Sequence, residues 1–289
     1  MEEVLGLLNI NSTAGVRDND DNTVLHIACS CCNNSSQLEL TKFIIKKVPA
    51  SVCSMYNKAG KLPIHIILET ISNNVQQAIE SKHVTLLKSL VCDANSPDSD
   101  GNTVLHLACA HKHHKFALYL VKSKEAMTQV QNSKNELPLH LALKSGCTDL
   151  HLINLLITPQ SICIQDSDGN TPLHIAFSGH FHYCISPKLD CRILSLISDG
   201  VYGFASIHTK PFINAFTCLS LKNKHNLTPI QILINSLKFH YAEQTLVDIM
   251  AIFGLDQAES SPLCNQLSLH GCLDEKFDEP LAQPDCFTP

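Results

Sequence analysis

The sequence predicts an all-α solenoid of stacked helix–turn–helix units. Three observations lead to this fold class: one hexapeptide motif recurs six times among the 289 residues, turn-forming residues precede the copies, and an apolar stretch with helical periodicity follows each copy. Self-similarity at a spacing of a few tens of residues is the signature of repeat architectures. A single unit cannot bury its apolar face alone, so the units are expected to stack into one continuous core.

The hexapeptide has the chemistry of a helix start. In the fifth copy, the Thr171 oxygen can accept a backbone N–H bond as the N-cap, and Pro172 stands at the first helical position, where no donor is needed. Leu173 and Ala176 lie three residues apart and face one side of the helix. The fourth residue is His in five copies and Gln in the last. The six copies are residues 23–28, 62–67, 103–108, 137–142, 171–176 and 228–233.

The copies divide the chain into six units of unequal length. Successive fourth residues are 39, 41, 34, 34 and 57 positions apart, so the longer units must hold extra residues in loops that leave the unit interfaces intact. We place these residues at 31–37 and 72–82, between paired helices, and at 179–187 and 200–216 in unit five. A degenerate extra repeat near 206–211 is the alternative.

The predicted organisation has three parts. A capping half-repeat at 1–17, with a short helix at 2–10, precedes the units, and an acidic, disordered tail at 256–289 follows them. The predicted units are 18–56, 57–97, 98–131, 132–165, 166–222 with its insertion, and 223–255. Their predicted second helices cover 38–48, 84–91, 116–121, 150–157, 189–197 and 246–253.

The motif and the turn before it resemble the ankyrin-repeat family, in which Thr-Pro-Leu-His-x-Ala opens the first helix and a finger-like hairpin joins successive units. The resemblance covers residues 18–255 and implies an ankyrin-repeat solenoid with finger loops and several enlarged loops. It also implies a structural role for the repeated histidines, whose imidazoles would hydrogen-bond to turn backbone and to the Thr hydroxyl. Leu62 and Leu137 depart from the pattern, since Leu lacks the capping oxygen. The structural motif residues are Thr23, His26, His65, Thr103, His106, His140, Thr171, Pro172, His174 and Thr228.

Acidic and basic residues are balanced outside the C-terminal region. The chain has 27 acids and 21 bases, and residues 256–289 hold seven of the acids against Lys276 alone. Residues 1–255 therefore offer no basic footprint for nucleic acid. The chain contains no apolar run of bilayer length, and its first residues, Met-Glu-Glu, are not those of a signal peptide. We expect no nucleic-acid partner, no membrane insertion and a cytoplasmic location, with the nucleus as the alternative.

The sequence contains no pattern for catalytic, cofactor or metal chemistry. It has no Gly-x-Ser-x-Gly motif and no phosphate-binding Gly-rich loop, and His111, His113 and His114 lack the paired spacing of zinc ligands. The 14 cysteines are scattered through apolar runs, so we expect reduced, buried thiols, with Cys29 and Cys109 packed between helices. The prediction is no enzyme, no cofactor and no metal. A thiol- or zinc-dependent regulator is the weaker alternative.

The predicted function is a monomeric scaffold or adaptor that binds one or more partner proteins. Stacked repeats present extended, concave surfaces, so contact is expected at the finger tips and on the concave face of the first helices. The tip candidates are Ser99, Asp100, Lys134, Asn135, Ser167 and Asp168, and the inner-face candidates are His111, His113, Lys144 and Ser145. The alternative is a regulatory ankyrin portion of a larger signalling or membrane protein.

Overall fold

The structure is a computed structural model, and the part of the chain that it describes lies within the first of two compact units, 1–240. The second unit, 241–289, lies outside the described residues. The described ranges are 15–32, 35–72, 80–123, 126–147, 149–158, 160–178, 220–229 and 231–232. Within them the chain forms helices and turns, and the one β-pairing is an isolated antiparallel bridge between Pro97 and Thr103.

Pairs of helices follow one another along the chain, one pair to each repeat unit. The first helices of the units are α1 (Val24–Ser30), α4 (Pro63–Ser72), α6 (Val104–Ala110), α8 (Pro138–Lys144) and α10 (Pro172–Phe177). The second helices are α2 (Ser35–Lys47), α5 (Glu80–Leu90), α7 (His114–Ser123) and α9 (Leu150–Leu156). The predicted all-α repeat fold is therefore confirmed. None of the helices in the described ranges is long and apolar enough to cross a membrane.

Two short elements were not predicted from the sequence. Helix α3 (Ala50–Cys53) follows α2, and a 3₁₀ turn (Ser161–Cys163) follows α9. Each occupies the connection between a second helix and the next finger. A single turn has too few residues to show helical periodicity in a sequence.

The prediction of a loop insertion at 31–37 is wrong in part. Helix α2 already begins at Ser35 and is 13 residues long, whereas the equivalent α7 has 10 residues. Part of the surplus of unit one is therefore an extension of its second helix. Several other predictions lie outside the described residues: the helix at 2–10, the insertions at 179–187 and 200–216, the second helices at 189–197 and 246–253, and the tail at 256–289.

The core runs along the stack through equivalent positions of the first helices. Leu25, Leu105, Leu139 and Leu173 are each fully buried, and Phe116 of α7 is buried behind them. Each first helix packs against the first helix of the next unit, and each second helix packs against its own partner. Contacts between nearest neighbours are what a repeat array uses for stability.

The cysteines follow the prediction only in part. The described thiols that are free and buried, as expected, are Cys29, Cys32, Cys53, Cys109 and Cys147. The expectation of burial is wrong for Cys31 and Cys92, which are exposed and lie just beyond the ends of α1 and α5. The expectation of a reduced thiol is wrong for Cys163, which forms a disulfide.

Candidate protein-binding surface

Each finger is a tight turn closed by the side chain of its first residue. In the third finger, Asp98 Oδ1 accepts hydrogen bonds from the N–H groups of Asp100 and Asn102 at 2.9 and 2.7 Å. The fourth residue of each finger takes a positive φ, as Gly101 does at 74° and Asn135 at 56°. Gly and Asn tolerate this left-handed conformation best, which explains their place in the turn. Equivalent Asx bonds close the fingers that begin at Asp18, Asn57, Asn132, Asp166 and Asn223.

Successive fingers are joined by backbone hydrogen bonds near their tips. The Ser133 N–H donates to the Asp100 carbonyl at 2.9 Å, and the Ser167 N–H donates to the Lys134 carbonyl at 2.7 Å. Lys58 and Lys224 donate in the same way to the carbonyls of Asp20 and Asp168, each at 2.9 Å. These bonds therefore join finger one to finger two and hold fingers three to six beside one another as one continuous edge.

A second set of bonds links the bases of neighbouring fingers. The Asn132 side-chain amide donates to Asn102 Oδ1 at 2.8 Å, and Asn223 donates to Asn170 Oδ1 at 3.0 Å. An equivalent bond of 2.8 Å joins Asn57 to Asn22. These bonds pair unit one with two, three with four and five with six, since an odd unit supplies the acceptor and an even unit the donor.

The five motif histidines connect each first helix to the finger of the following unit. In unit three, the Thr103 N–H donates to His106 Nδ1 at 3.1 Å, and Thr103 Oγ1 lies 2.8 Å from the same nitrogen. A backbone N–H can only donate, so Nδ1 is the acceptor and Nε2 carries the proton of the neutral ring. His106 Nε2 then donates to the Glu136 carbonyl of the next finger at 3.0 Å. The equivalent contacts of His26, His65, His140 and His174 reach the carbonyls of Lys61, Ser96, Ile164 and Leu227 at 3.0–3.2 Å.

Burial keeps these imidazoles neutral. The buried position of His140 lowers its pKa to about 4, despite the favourable effect of the nearby Asp166. Burial likewise lowers the pKa of His26, His65, His106 and His174 below the usual 6.5. Only the neutral ring can accept a hydrogen bond at Nδ1 and donate one at Nε2 at the same time. The two ring nitrogens of these histidines are therefore both occupied in joining one unit to the next.

Lys144 of α8 forms a second joint between units four and five. Its ammonium lies 2.7 Å from Glu136 Oε1 and 2.9 Å from Asp166 Oδ2. Burial alone would raise the pKa of both carboxyl groups, but hydrogen bonds from Lys144 and, for Glu136, from Asn132 outweigh it and lower both pKa values. Burial alone would lower the pKa of Lys144, and its bonds to the two carboxylates raise it instead.

The inner-face candidates are tied into the stack to different degrees. His113 Nε2 bonds to the Leu68 carbonyl at 3.1 Å, and the Ser145 hydroxyl bonds to the carbonyls of Cys109 and Ala142 at 2.9 Å. Lys144 is held by its two carboxylates. His111 is half-buried, and burial lowers its pKa.

The tip candidates lie at the solvent-facing edge. Five of them are exposed and Ser167 is half-buried. Three of the exposed residues are charged, and no ion pair joins Asp100, Lys134 or Asp168 to another side chain in the described part of the chain. These groups are therefore available to a partner.

Charge alternates from one finger to the next when one exposed charged residue near each tip is compared, a pattern that was not predicted from the sequence. We call the following exposed residues the tip row: Asp20, Lys58, Asp100, Lys134, Asp168 and Lys224. Odd units present an acid and even units present a lysine. The charged residue is the third residue of the turn in units one, three, four and five and the second residue in units two and six, where Ala59 and His225 stand third.

Comparisons with known proteins agree with this geometry. The family model "Ankyrin repeats (3 copies)" matches residues 75–152. The chain is 35% identical over 80 residues to "NF-kappa-B inhibitor alpha" of Gallus gallus, covering 27% of this chain and 25% of that protein. It is 24% identical over 228 residues to "B-cell lymphoma 3 protein homolog" of Mus musculus, covering 74% of this chain and 48% of that protein. The chain thus spans less than half the length of either relative.

A solved structure has the same fold. The crystal structure of an ankyrin repeat domain from Acinetobacter baumannii aligns with a TM-score of 0.51 and 17% identity, covering 80% of this chain and 96% of that chain. Together with the finger geometry and the histidine contacts, these matches identify the chain as an ankyrin-repeat protein. Ankyrin repeats generally mediate protein–protein interaction, and their fold is typically non-catalytic.

Proposed function

We propose that this protein is a non-catalytic scaffold that binds one or more partner proteins through its tip row. The observation that carries the proposal is the division of polar groups in the repeats. The buried histidines and the Asx side chains bond from one unit to the next, whereas the charged groups of Asp100, Lys134 and Asp168 are exposed and form no ion pair with another described side chain.

The inner-face candidates are less suited to binding than the tips. A partner that captured the Lys144 ammonium would leave Glu136 and Asp166, which are only 6% and 5% exposed, without their cation. Separating a buried carboxylate from its counter-charge is costly. A partner at His113 or Ser145 would compete with the bonds that these residues make within the stack. We therefore centre the proposed surface on Ser99, Asp100, Lys134, Asn135, Ser167 and Asp168.

The alternating charges favour a partner with a matching alternation of basic and acidic side chains. Exposed charge pairs contribute more to specificity and to the association rate than to affinity. They are also screened by salt over about 10 Å at an ionic strength of 0.1 M. Binding through the tip row should therefore weaken as salt rises, and it should depend on the order of the charges along the row.

A charge-swapped variant tests the proposal without changing the net charge. Asp100→Lys combined with Lys134→Asp reverses the order of two neighbouring tips, and Lys122→Glu, at an exposed position on helix α7, serves as the control. Affinity capture with the wild type, the swapped variant and the control should recover partners that only the swapped variant loses. Recovery of the same partners by all three proteins would contradict the tip row as the binding surface.

A second candidate is a regulatory ankyrin portion of a larger signalling or membrane protein. The match to B-cell lymphoma 3 protein homolog supports it, since 74% of this chain aligns with only 48% of that longer relative. Because one relative is named an NF-kappa-B inhibitor, purified NF-kappa-B is the first partner to titrate directly. A search for longer transcripts would show whether the repeats occur with further domains.

A further inference from the structure

A cleft lies between units one and two, near the C-terminal ends of their second helices. Its volume is about 540 Å³, and its walls come from the end of α2, from α3 and from the end of α5. Val48 and Val91 line it on the two sides, and Cys53 and Cys92 both line it as well. The cleft therefore brings together a thiol from each of two units.

The two thiols differ in exposure and line the same cleft. Cys53 is 5% exposed, whereas Cys92 is exposed to solvent. Cys92 Sγ donates to the carbonyl of Ala50 at 3.7 Å, and Ala50 begins the helix α3 that also carries Cys53. Both thiols are free in this structure. An accessible thiol beside a buried one is the arrangement in which a first oxidised cysteine can be resolved by a second.

We propose that Cys53 and Cys92 form a dithiol site that hydrogen peroxide or a related peroxide oxidises to a disulfide between units one and two. The Cys92 sulfur attacks a peroxide oxygen, the O–O bond breaks, and a sulfenic acid and one water form. The Cys53 sulfur then attacks the Cys92 sulfur, the S–O bond breaks, and the Cys53 proton leaves with the departing hydroxide as a second water. Two thiols and one hydrogen peroxide thus give one disulfide and two waters.

The exposure of the two thiols fixes their order of reaction. Cys92 reaches solvent and reacts first. Cys53 is shielded from solvent, so dissolved peroxide reaches it less readily. A sulfenic acid on Cys92 places an electrophilic sulfur in the cleft that the Cys53 thiol also lines, so Cys53 is the thiol positioned to attack it.

Other described cysteines lack this combination. Cys31 is exposed, but its sulfur lies 3.8 Å from the Ser30 hydroxyl. The adjacent Cys32 is buried, and its sulfur lies 3.0 Å from Thr41 Oγ1. Cys109 is fully buried, and burial raises the pKa of its thiol. Cys31 is therefore the suitable control for an exposed cysteine outside the cleft.

Peroxide treatment of the full-length protein tests the proposal. Free thiols are blocked after a graded treatment, and the peptides are mapped by mass spectrometry. We expect a Cys53–Cys92 cross-linked peptide pair that is lighter by about 2 Da than the two reduced peptides. The pair should be absent from Cys92→Ser and should form to the same extent in Cys31→Ser.

The cross-link should also stabilise the stack. Oxidised wild type should melt roughly 5–10 °C above the reduced protein, because the link restricts the unfolded chain. Oxidised Cys92→Ser should show no such rise in melting temperature. The oxidised wild type and the oxidised variant both keep the Cys163 disulfide, so that bond does not contribute to the difference between them. Oxidation of Cys92 to sulfinic acid without a cross-link, or pairing of Cys92 with any cysteine other than Cys53, would overturn the proposal.

Discussion

Lys144 closes the junction between units four and five through Asp166, whose Oδ2 lies 2.9 Å from the lysine Nζ. The same ammonium lies 2.7 Å from Glu136 Oε1, so one cation serves two carboxylates from successive fingers. Unit two carries the reversed pair at the equivalent positions, with Lys61 Nζ 2.8 Å from Glu69 Oε2. That second pair lies within one unit, and so the two pairs differ in what they hold together.

Replacing Lys144 with Ala should destabilise the fold more than the same change at Lys61. Breaking a buried ion pair from one side costs about 3–5 kcal/mol, but the Lys144 side chain is 34% exposed, and solvent screens part of the loss. We expect Lys144→Ala to lower the free energy of unfolding by about 2 kcal/mol. Lys61→Ala, in a more exposed pair, should cost about 0.5 kcal/mol. Urea denaturation of both variants measures the difference, and equal losses would mean that the link to Asp166 adds nothing.

The histidine joints should make the fold sensitive to mild acid. Their pKa values are lowered in the folded state, to about 4 for His140, so the unfolded chain binds more protons below pH 6.5. Their contribution to stability is therefore fully present above pH 6.5 and is lost as the pH falls from 6.5 toward 4. For each histidine that stays neutral in the folded state, the free energy of unfolding falls by about 1.4 kcal/mol per pH unit in this window. Urea denaturation between pH 7.5 and 5 measures the slope.

Gln231 suggests the matched control for this titration. It occupies the histidine position of unit six, and its Oε1 accepts the Thr228 N–H at 2.9 Å without a titratable group. His106→Gln should therefore keep the acceptor and reduce the pH slope by about 1.4 kcal/mol per pH unit. An unchanged slope in this variant would show that His106 does not carry its share of the acid sensitivity.

The close stacking of fingers five and six can be tested at two glycines. Gly169 and Gly146 both have a positive φ, at 76° and 72°. A Cβ on Gly169 would lie 2.9 Å from Asn223 Cα, whereas a Cβ on Gly146 would meet nothing within 4 Å. We expect Gly146→Ala to cost about 1 kcal/mol for its backbone conformation alone, and Gly169→Ala about 3 kcal/mol with the added overlap. Equal costs in thermal or chemical denaturation would contradict the finger contact.

The repeat register itself is tested by a buried and an exposed residue of unit four. Leu139 is fully buried, so Leu139→Ala should cost about 2–5 kcal/mol by leaving a cavity. Lys134 is exposed at a finger tip, so Lys134→Ala should change stability by about 0.5 kcal/mol or less. Chemical denaturation giving the reverse order would show that the helices had been assigned to the wrong faces.

Features set by local sequence were predictable, and features set by neighbouring units were less so. The helix starts follow from Thr171 and Pro172, because capping and the fixed φ of proline act within one turn. The position of Leu139 in the core follows from periodicity in the same way. By contrast, the Lys144 side chain reaches Asp166, 22 residues away in the chain. No local sequence pattern indicates that these two side chains will form an ion pair.

The candidate surface shows the same limit. Inner-helix positions line a concave face in such stacks, which favours Lys144 and Ser145 as partner contacts. Their polar groups, however, already bond to Asp166 and Cys109 in neighbouring units. The tip residues Asp100 and Lys134 were selectable from the sequence, because exposed turn positions depend little on packing. The shared cleft of Cys53 and Cys92 was not, since it is formed by two units whose cysteines are far apart in the chain.

The most direct test of the tip row is a titration of a captured partner against three proteins at low and moderate salt. The swapped variant, Asp100→Lys with Lys134→Asp, should bind at low salt with a Kd raised about tenfold or more over the wild type, because attraction becomes repulsion at two tips. Lys122→Glu should leave the Kd unchanged. Moderate salt should reduce the difference in Kd between the swapped variant and the wild type. A swapped variant that binds as tightly as the wild type at both salt concentrations would contradict the account.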